Sequence, residues 1–210
     1  MTTYDLAETV EMLDVLRDHP IYVAAMLAVL CGLRRGEICA LRWRNVDLTS
    51  GQLSVVESLE QTKEGVRFKS PKTGKGRTVA LSATVIEELR LHRLQRVQDL
   101  FKLGAKLSED DTVLANLDGS VTTPLWITAT WRTAIAKTTL PHLRFHDLRH
   151  AHATHLLKNG VNPKIASERL GHSKVGTTLD LYQHVMPGMQ EDAAKAVDAA
   201  LKKAIRKRRR

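Results

Sequence analysis

The densest chemistry in the chain lies in Phe145-His146-Asp147-Leu148-Arg149-His150, within a stretch from His142 to His155 that holds five of the nine histidines. On a helix, His146 and Arg149 stand three residues apart and share a face, so one can manage protons while the other holds an anionic oxygen. Alone, such a pair is ordinarily an exposed helix face. The histidines also invite a zinc reading through His146 and His150. However, the glutamate of H-E-x-x-H is missing, and no cysteine or acidic third ligand is suitably placed. Three further strings stand out. Leu170-Gly171-His172-Ser173 is followed by Thr177-Thr178-Leu179-Asp180-Leu181-Tyr182, with the tyrosine ten residues after the histidine. Gly32-Leu33-Arg34-Arg35-Gly36-Glu37 places an arginine just after a glycine break, with a glutamate three residues on; alone, this is a surface ion pair of little worth. Pro71-Lys72-Thr73-Gly74-Lys75-Gly76-Arg77 is a basic turn that lacks the G-x-x-x-x-G-K-[ST] order of a nucleotide-binding loop.

The elements that must position these residues are mostly helical. Residues 5–17 and 21–31 read as helices broken at Pro20, and a shorter helix runs from Arg34 to about Leu41. Leu53–Val56, Val66–Phe68 and Arg77–Leu81 are β-prone runs separated by turn residues, which predicts one small antiparallel sheet with an exposed basic hairpin at Gly74 and Gly76. Ser82 is placed to cap a helix reaching about Leu103. A short strand is expected near Val113-Leu114, followed by helices near 124–137, 146–159, 162–170, 177–185 and 189–207.

Composition is consistent with a nucleic-acid partner without proving one. The net charge is +9, but the seven cations from Lys202 to Arg210 leave 9 − 7 = +2 for the rest. Residues 63–96 are locally basic, with nine Lys or Arg against three acids. Cys31 and Cys39 are spaced for neither a metal site nor a redox motif and read as small apolar packers. No run reaches the roughly 18 apolar residues of a membrane helix, and the acidic segment before Pro20 does not suit a secretory signal. The expected location is the cytoplasm.

In this order and spacing, the four strings resemble the tyrosine recombinase family, phage-type and conjugative-transposon integrases in particular, from about residue 5 to about 188. The family pattern is an arginine in G-L-R-x-x-E, a lysine on a β-hairpin, an H-x-x-R, an L-G-H, and a tyrosine shortly after paired threonines. Carried over position by position, the site is Arg34, Lys72, His146, Arg149, His172 and Tyr182. Arg35 competes with Arg34, and Lys69 and Lys75 compete with Lys72. The resemblance implies a mainly α fold with a small antiparallel β-sheet, the catalytic-domain fold of that family, over residues 1–188. Residues 189–210 would add an amphipathic helix with a basic tail, and the family's N-terminal DNA-binding domain is expected to be absent from this chain.

The implied activity is site-specific breakage and rejoining of DNA through a 3′-phosphotyrosine, with no metal or cofactor. Tyrosine chemistry suits exchange without net hydrolysis, because the covalent link retains the energy of the broken phosphodiester. Two guanidiniums would grip the non-bridging oxygens through paired donors. Lys72 would protonate the departing 5′ oxygen, His146 would handle the tyrosine proton, and His172 would donate to the phosphate. The implied partners are double-stranded DNA and further copies of the chain, a monomer when free and a tetramer on DNA, with no membrane. Two alternatives remain open, a non-catalytic DNA-binding module and a type IB topoisomerase-like enzyme. A degenerate member would lack the nucleophile or an arginine, and the compact L-G-H to tyrosine segment matches integrases better.

Overall fold

Local capping signals set most of the helix boundaries in the computed structural model, which describes residues 3–70, 76–172 and 176, with 194–195, 197–199, 201–202 and 205–206. Helix α1 spans Leu6–Val15 and starts in a capping box, where Asp5 accepts from the Glu8 amide and Glu8 accepts from the Asp5 amide, both at 2.8 Å. Helix α2 spans Tyr22–Cys31 and carries no charged residue, so nearly every face is buried and it becomes the central element. It stops at Gly32, whose φ of 69° is the left-handed conformation that glycine adopts without a side-chain penalty. Helix α3, Arg35–Ala40, follows directly, then a 3₁₀ turn at Trp43–Asn45.

The β content divides into two antiparallel sheets. Strands β1 (Val46–Asp47), β2 (Gln52–Val55) and β5 (Arg77–Ala80) form one, in the order β1-β2-β5. Strands β3 (Ser58–Thr62) and β4 (Gly65–Lys69) form a separate ribbon, with Ser58 opposite Lys69 and Thr62 opposite Gly65. The expected hairpin between the β4 and β5 runs is therefore corrected, since those strands belong to different sheets and the tight turn lies between β3 and β4. The short strand expected near Val113 is reduced to one bridge, Arg42 to Thr112.

Ser82 caps α4, Ala83–Lys102, and Thr123 with Pro124 opens α5, Pro124–Ile135. Helices α6, Asp147–Lys158, and α7, Pro163–Leu170, complete the described body. Helix α6 packs on α2, while α7 touches α6 and β5, and the H-x-x-R and L-G-H strings meet the glycine break after α2. Among the described residues, no helix is long and apolar enough to cross a membrane. The basic turn at 71–75, the helix expected over 177–185, and the candidates Lys72 and Tyr182 lie outside the described residues. Within the expected last helix, residues 194, 195, 197–199, 201, 202, 205 and 206 are helical, and Val197, Leu201 and Ile205 are exposed.

Candidate active site

Two helix ends converge to hold the arginines. The last carbonyls of a helix have no partner within it and carry the negative end of its dipole. At the end of α7, three successive carbonyls each accept from a different guanidinium. Arg77 Nε donates to Arg169 O at 2.9 Å, Arg149 Nη2 donates to Leu170 O, and Arg34 Nη2 donates to Gly171 O at 2.9 Å. At the end of α2, Arg149 also donates to Gly32 O, His152 Nδ1 to Val29 O at 2.9 Å, and Arg169 Nη2 to Leu30 O at 3.3 Å. Arg149 therefore ties both helix ends together, and only 3% of it is exposed. Burial, then the charge of Arg34, pulls its pKa down to about 9, which leaves it a cation at neutral pH.

The glycines at both ends are required by close approach. Gly32 lies against the His152 ring and the Leu170 side chain, and a Cβ there would sit 2.6 Å from His152 Cδ2. Gly171, with φ +63°, lies against the Arg77 side chain, where a Cβ would come within 2.9 Å.

Glu37 is the counterion at the centre. Its carboxylate accepts from the Arg34 amide at 2.8 Å, Arg34 Nη1 at 2.9 Å, and Arg77 Nη1 and Nη2 at 2.8 and 2.6 Å. Burial pushes this carboxyl up, but the Arg77 and Arg34 bonds outweigh it and hold the group below the usual carboxylate range. The pair is more than a surface contact, because Glu37 is buried and answers two arginines. The side chain of Arg34 remains 40% exposed and reachable. Its rival Arg35 reaches instead to the Thr128 hydroxyl on α5.

The histidines complete the cluster. His146 is the residue at which α6 begins, and its ring meets that of His150 edge to face at 5.0 Å. Partial burial, then His150 and Arg149, lowers the pKa of His146. His172 follows Gly171 directly, and burial, then Arg149 and Arg34, pulls it down to about 4. Both rings are therefore neutral at pH 7, so each offers one N–H donor and one basic nitrogen. Among the described residues, no three His, Cys, Asp or Glu side chains converge as a ligand set. Of the hairpin lysines, Lys69 is tied to Glu60 on the β3–β4 ribbon.

The structure thus brings Arg34, Arg149 and His172 to one helix end with His146 and His150 beside them, while Lys72 and Tyr182 lie outside the described residues. Sequence reasoning assigned no role to Arg77, His150 or Glu37. Glu37 carried a signal in its spacing of three from Arg34, and His150 in its spacing of four from His146, weighed there as a zinc pair and set aside.

The family model for the phage integrase family matches residues 4–188 of the chain. The chain belongs to that family. A tyrosine recombinase XerC-like protein of Caldanaerobacter subterraneus subsp. tengcongensis is 28% identical over 209 residues, covering 93% of this chain and 54% of that protein. Tyrosine recombinase XerC of Chlorobaculum parvum is 34% identical over 170 residues, covering 77% of this chain and 44% of the relative. This phage integrase family chain thus spans about half the length of the curated relatives it matches. Among solved structures, the Tn1549 transposon integrase in complex with transposon right end DNA superposes with a TM-score of 0.76, at 22% identity. That match covers 96% of this chain and 66% of the other, and it supports the family fold.

Proposed function

We propose that this chain is the catalytic part of a site-specific DNA recombinase that breaks and rejoins strands through a 3′-phosphotyrosine. The observation that carries the reading is the pair of guanidiniums, Arg34 and Arg149, held on successive carbonyls of one helix end with neutral His172 next in the chain. Such a cluster of fixed donors suits the charge that builds on a phosphorus in flight, and needs no reorganisation at the moment of reaction. Tyr182 would attack the phosphorus, and the bond to the departing 5′ oxygen would break as Lys72 delivers a proton to it. His146, neutral and at the surface, would accept the tyrosine proton on attack and return it on religation. The other two tyrosines suit the role poorly. Tyr4 and Tyr22 are buried, and burial together with nearby carboxylates pushes both to about 12.

Double-stranded DNA is the proposed substrate, with the chain acting in the cytoplasm as a monomer when free and a tetramer when assembled. Residues 1–188 form the proposed catalytic unit and 189–210 the assembly segment. The exposed stripe Val197, Leu201 and Ile205 supports the second assignment. Deleting residues 189–210 should spare binding to a single site and weaken the joining of two DNA-bound protomers.

The chemistry is tested by incubating the chain with nicked duplexes of randomised sequence in excess chelator and resolving the products on a denaturing gel. A slowly migrating protein–DNA adduct is expected, with its loss in Arg149→Ala. Cleavage that vanishes in chelator and returns with zinc or magnesium would contradict the proposal.

A further inference from the structure

Arg77 has no part in the phosphate chemistry proposed above, yet all three nitrogens of its guanidinium are engaged with the site's own framework. It opens β5, and three of its five donors are committed, two to Glu37 and one to the carbonyl of Arg169. Its side chain is 16% exposed, that of Glu37 is 7%, and Gly171 packs directly on it.

The charge count gives this arrangement a consequence for the reaction. Glu37 is one buried anion facing two guanidiniums. Were Arg34 its only partner, carboxylate and phosphate would compete for one cation, and much of the charge of Arg34 would be neutralised by a neighbour it cannot leave. With Arg77 gripping both carboxylate oxygens in a planar fork, Glu37 is answered independently and still fixes Arg34 through its amide and Nη1. The third bond of Arg77 secures the α7 terminus, whose next two carbonyls hold Arg149 and Arg34 and whose chain continues into His172.

We infer that Arg77 is a positioning residue for strand transfer. It answers the charge of Glu37 and anchors the α7 terminus, so that Arg34 keeps its cationic reach toward the scissile phosphate and His172 stays beside it. This rests on the proposed phosphate site.

The test needs no knowledge of the DNA site. Inorganic phosphate is titrated, at matched ionic strength in chloride, into the full chain carrying labelled histidine, and the ring resonances of His172 are followed by NMR. In the unaltered chain, phosphate should shift His172 and raise its pKa. Arg77→Gln should weaken apparent phosphate affinity by about tenfold, the order expected for losing one charge-assisted partner pair. Adding Glu37→Gln to Arg77→Gln should recover much of that loss, because the uncompensated carboxylate is then gone. Arg77→Lys should fall between, and it carries the test if Arg77→Gln does not fold. Phosphate binding unchanged in Arg77→Gln would overturn the inference. So would a loss that tracks thermal stability and is not recovered by the second substitution, the mark of a merely structural role. A different failure, no phosphate-dependent change at His172 in the unaltered chain, would sink the phosphate site itself and this inference with it.

Discussion

Two clusters in this chain share one composition, a glutamate between two cations. Glu37 sits between Arg34 and Arg77, and Glu60 sits between Arg67 and Lys69. Both carboxyls are held below their usual range, but for different reasons. Glu60 is 39% exposed on the β3–β4 ribbon, where every residue of β4 is exposed, and the hydrogen bonds of Lys69 and Arg67 meet little opposition. Glu37 is 7% exposed, and its partners must first overcome the cost of burial. Water can replace any member of the outer cluster, whereas nothing replaces a member of the inner one. The same three charges are therefore decoration on the ribbon and framework between the helix ends.

The largest effect should come from Glu37→Ala. Breaking a buried pair leaves an uncompensated charge, so denaturant unfolding should lose about 3–5 kcal/mol. Gly171→Ala should come next. It forces a side chain into left-handed backbone, at about 1–2 kcal/mol, and pushes on Arg77 as well. Cleavage should then fall further than stability does.

A pH profile sharpens the same contrast. His152 is pulled to about 3, by burial first and then Arg169, and His172 to about 4. In the unfolded chain both would titrate near the ordinary value of about 6.5. Between those values the unfolded state binds more protons, so stability rises with pH. The contribution is complete above about 6.5 and is lost as pH falls toward 4 and then 3. Chemical denaturation across that window should show the decline, and His152→Gln should flatten it. A profile that is flat in the unaltered chain would contradict the buried, neutral assignment. The smallest effect is expected from Glu60→Gln, whose melting temperature should match the unaltered chain. If it were as damaging as Glu37→Ala, the distinction between the two clusters would fail.

Much of this was legible in the residues. The breaks at Pro20 and Gly32 announced the bounds of α2 and the cap at Ser82 the start of α4, and the family pattern gathered Arg34, His146, Arg149 and His172. Strand β3 was not legible, because Ser58-Leu59-Glu60-Gln61-Thr62 offers a single buried apolar residue, Leu59, and no run of β-branched ones. The separation of β4 from β5 escaped for a related reason, since the partner of β4 is β3, which packs against α3 and α5 in a way that no local run records. The carbonyls of Arg169, Leu170 and Gly171 are backbone groups and leave no residue signature. Arg77 meets Glu37 forty positions away, so the sequence showed only a basic turn where the structure has a buried clamp.

If this cradle serves a tyrosine nucleophile, as proposed, the residue that carries DNA will identify it. The chain is incubated with nicked duplexes of randomised sequence, denatured and digested, and the nucleotide-bearing peptide is sequenced by mass spectrometry. A phosphotyrosine at Tyr182 is expected, absent from Tyr182→Phe although that variant binds DNA within a few-fold of the unaltered chain. Linkage at Tyr4, Tyr22 or any other residue, or strand cleavage with no linked peptide, would contradict it.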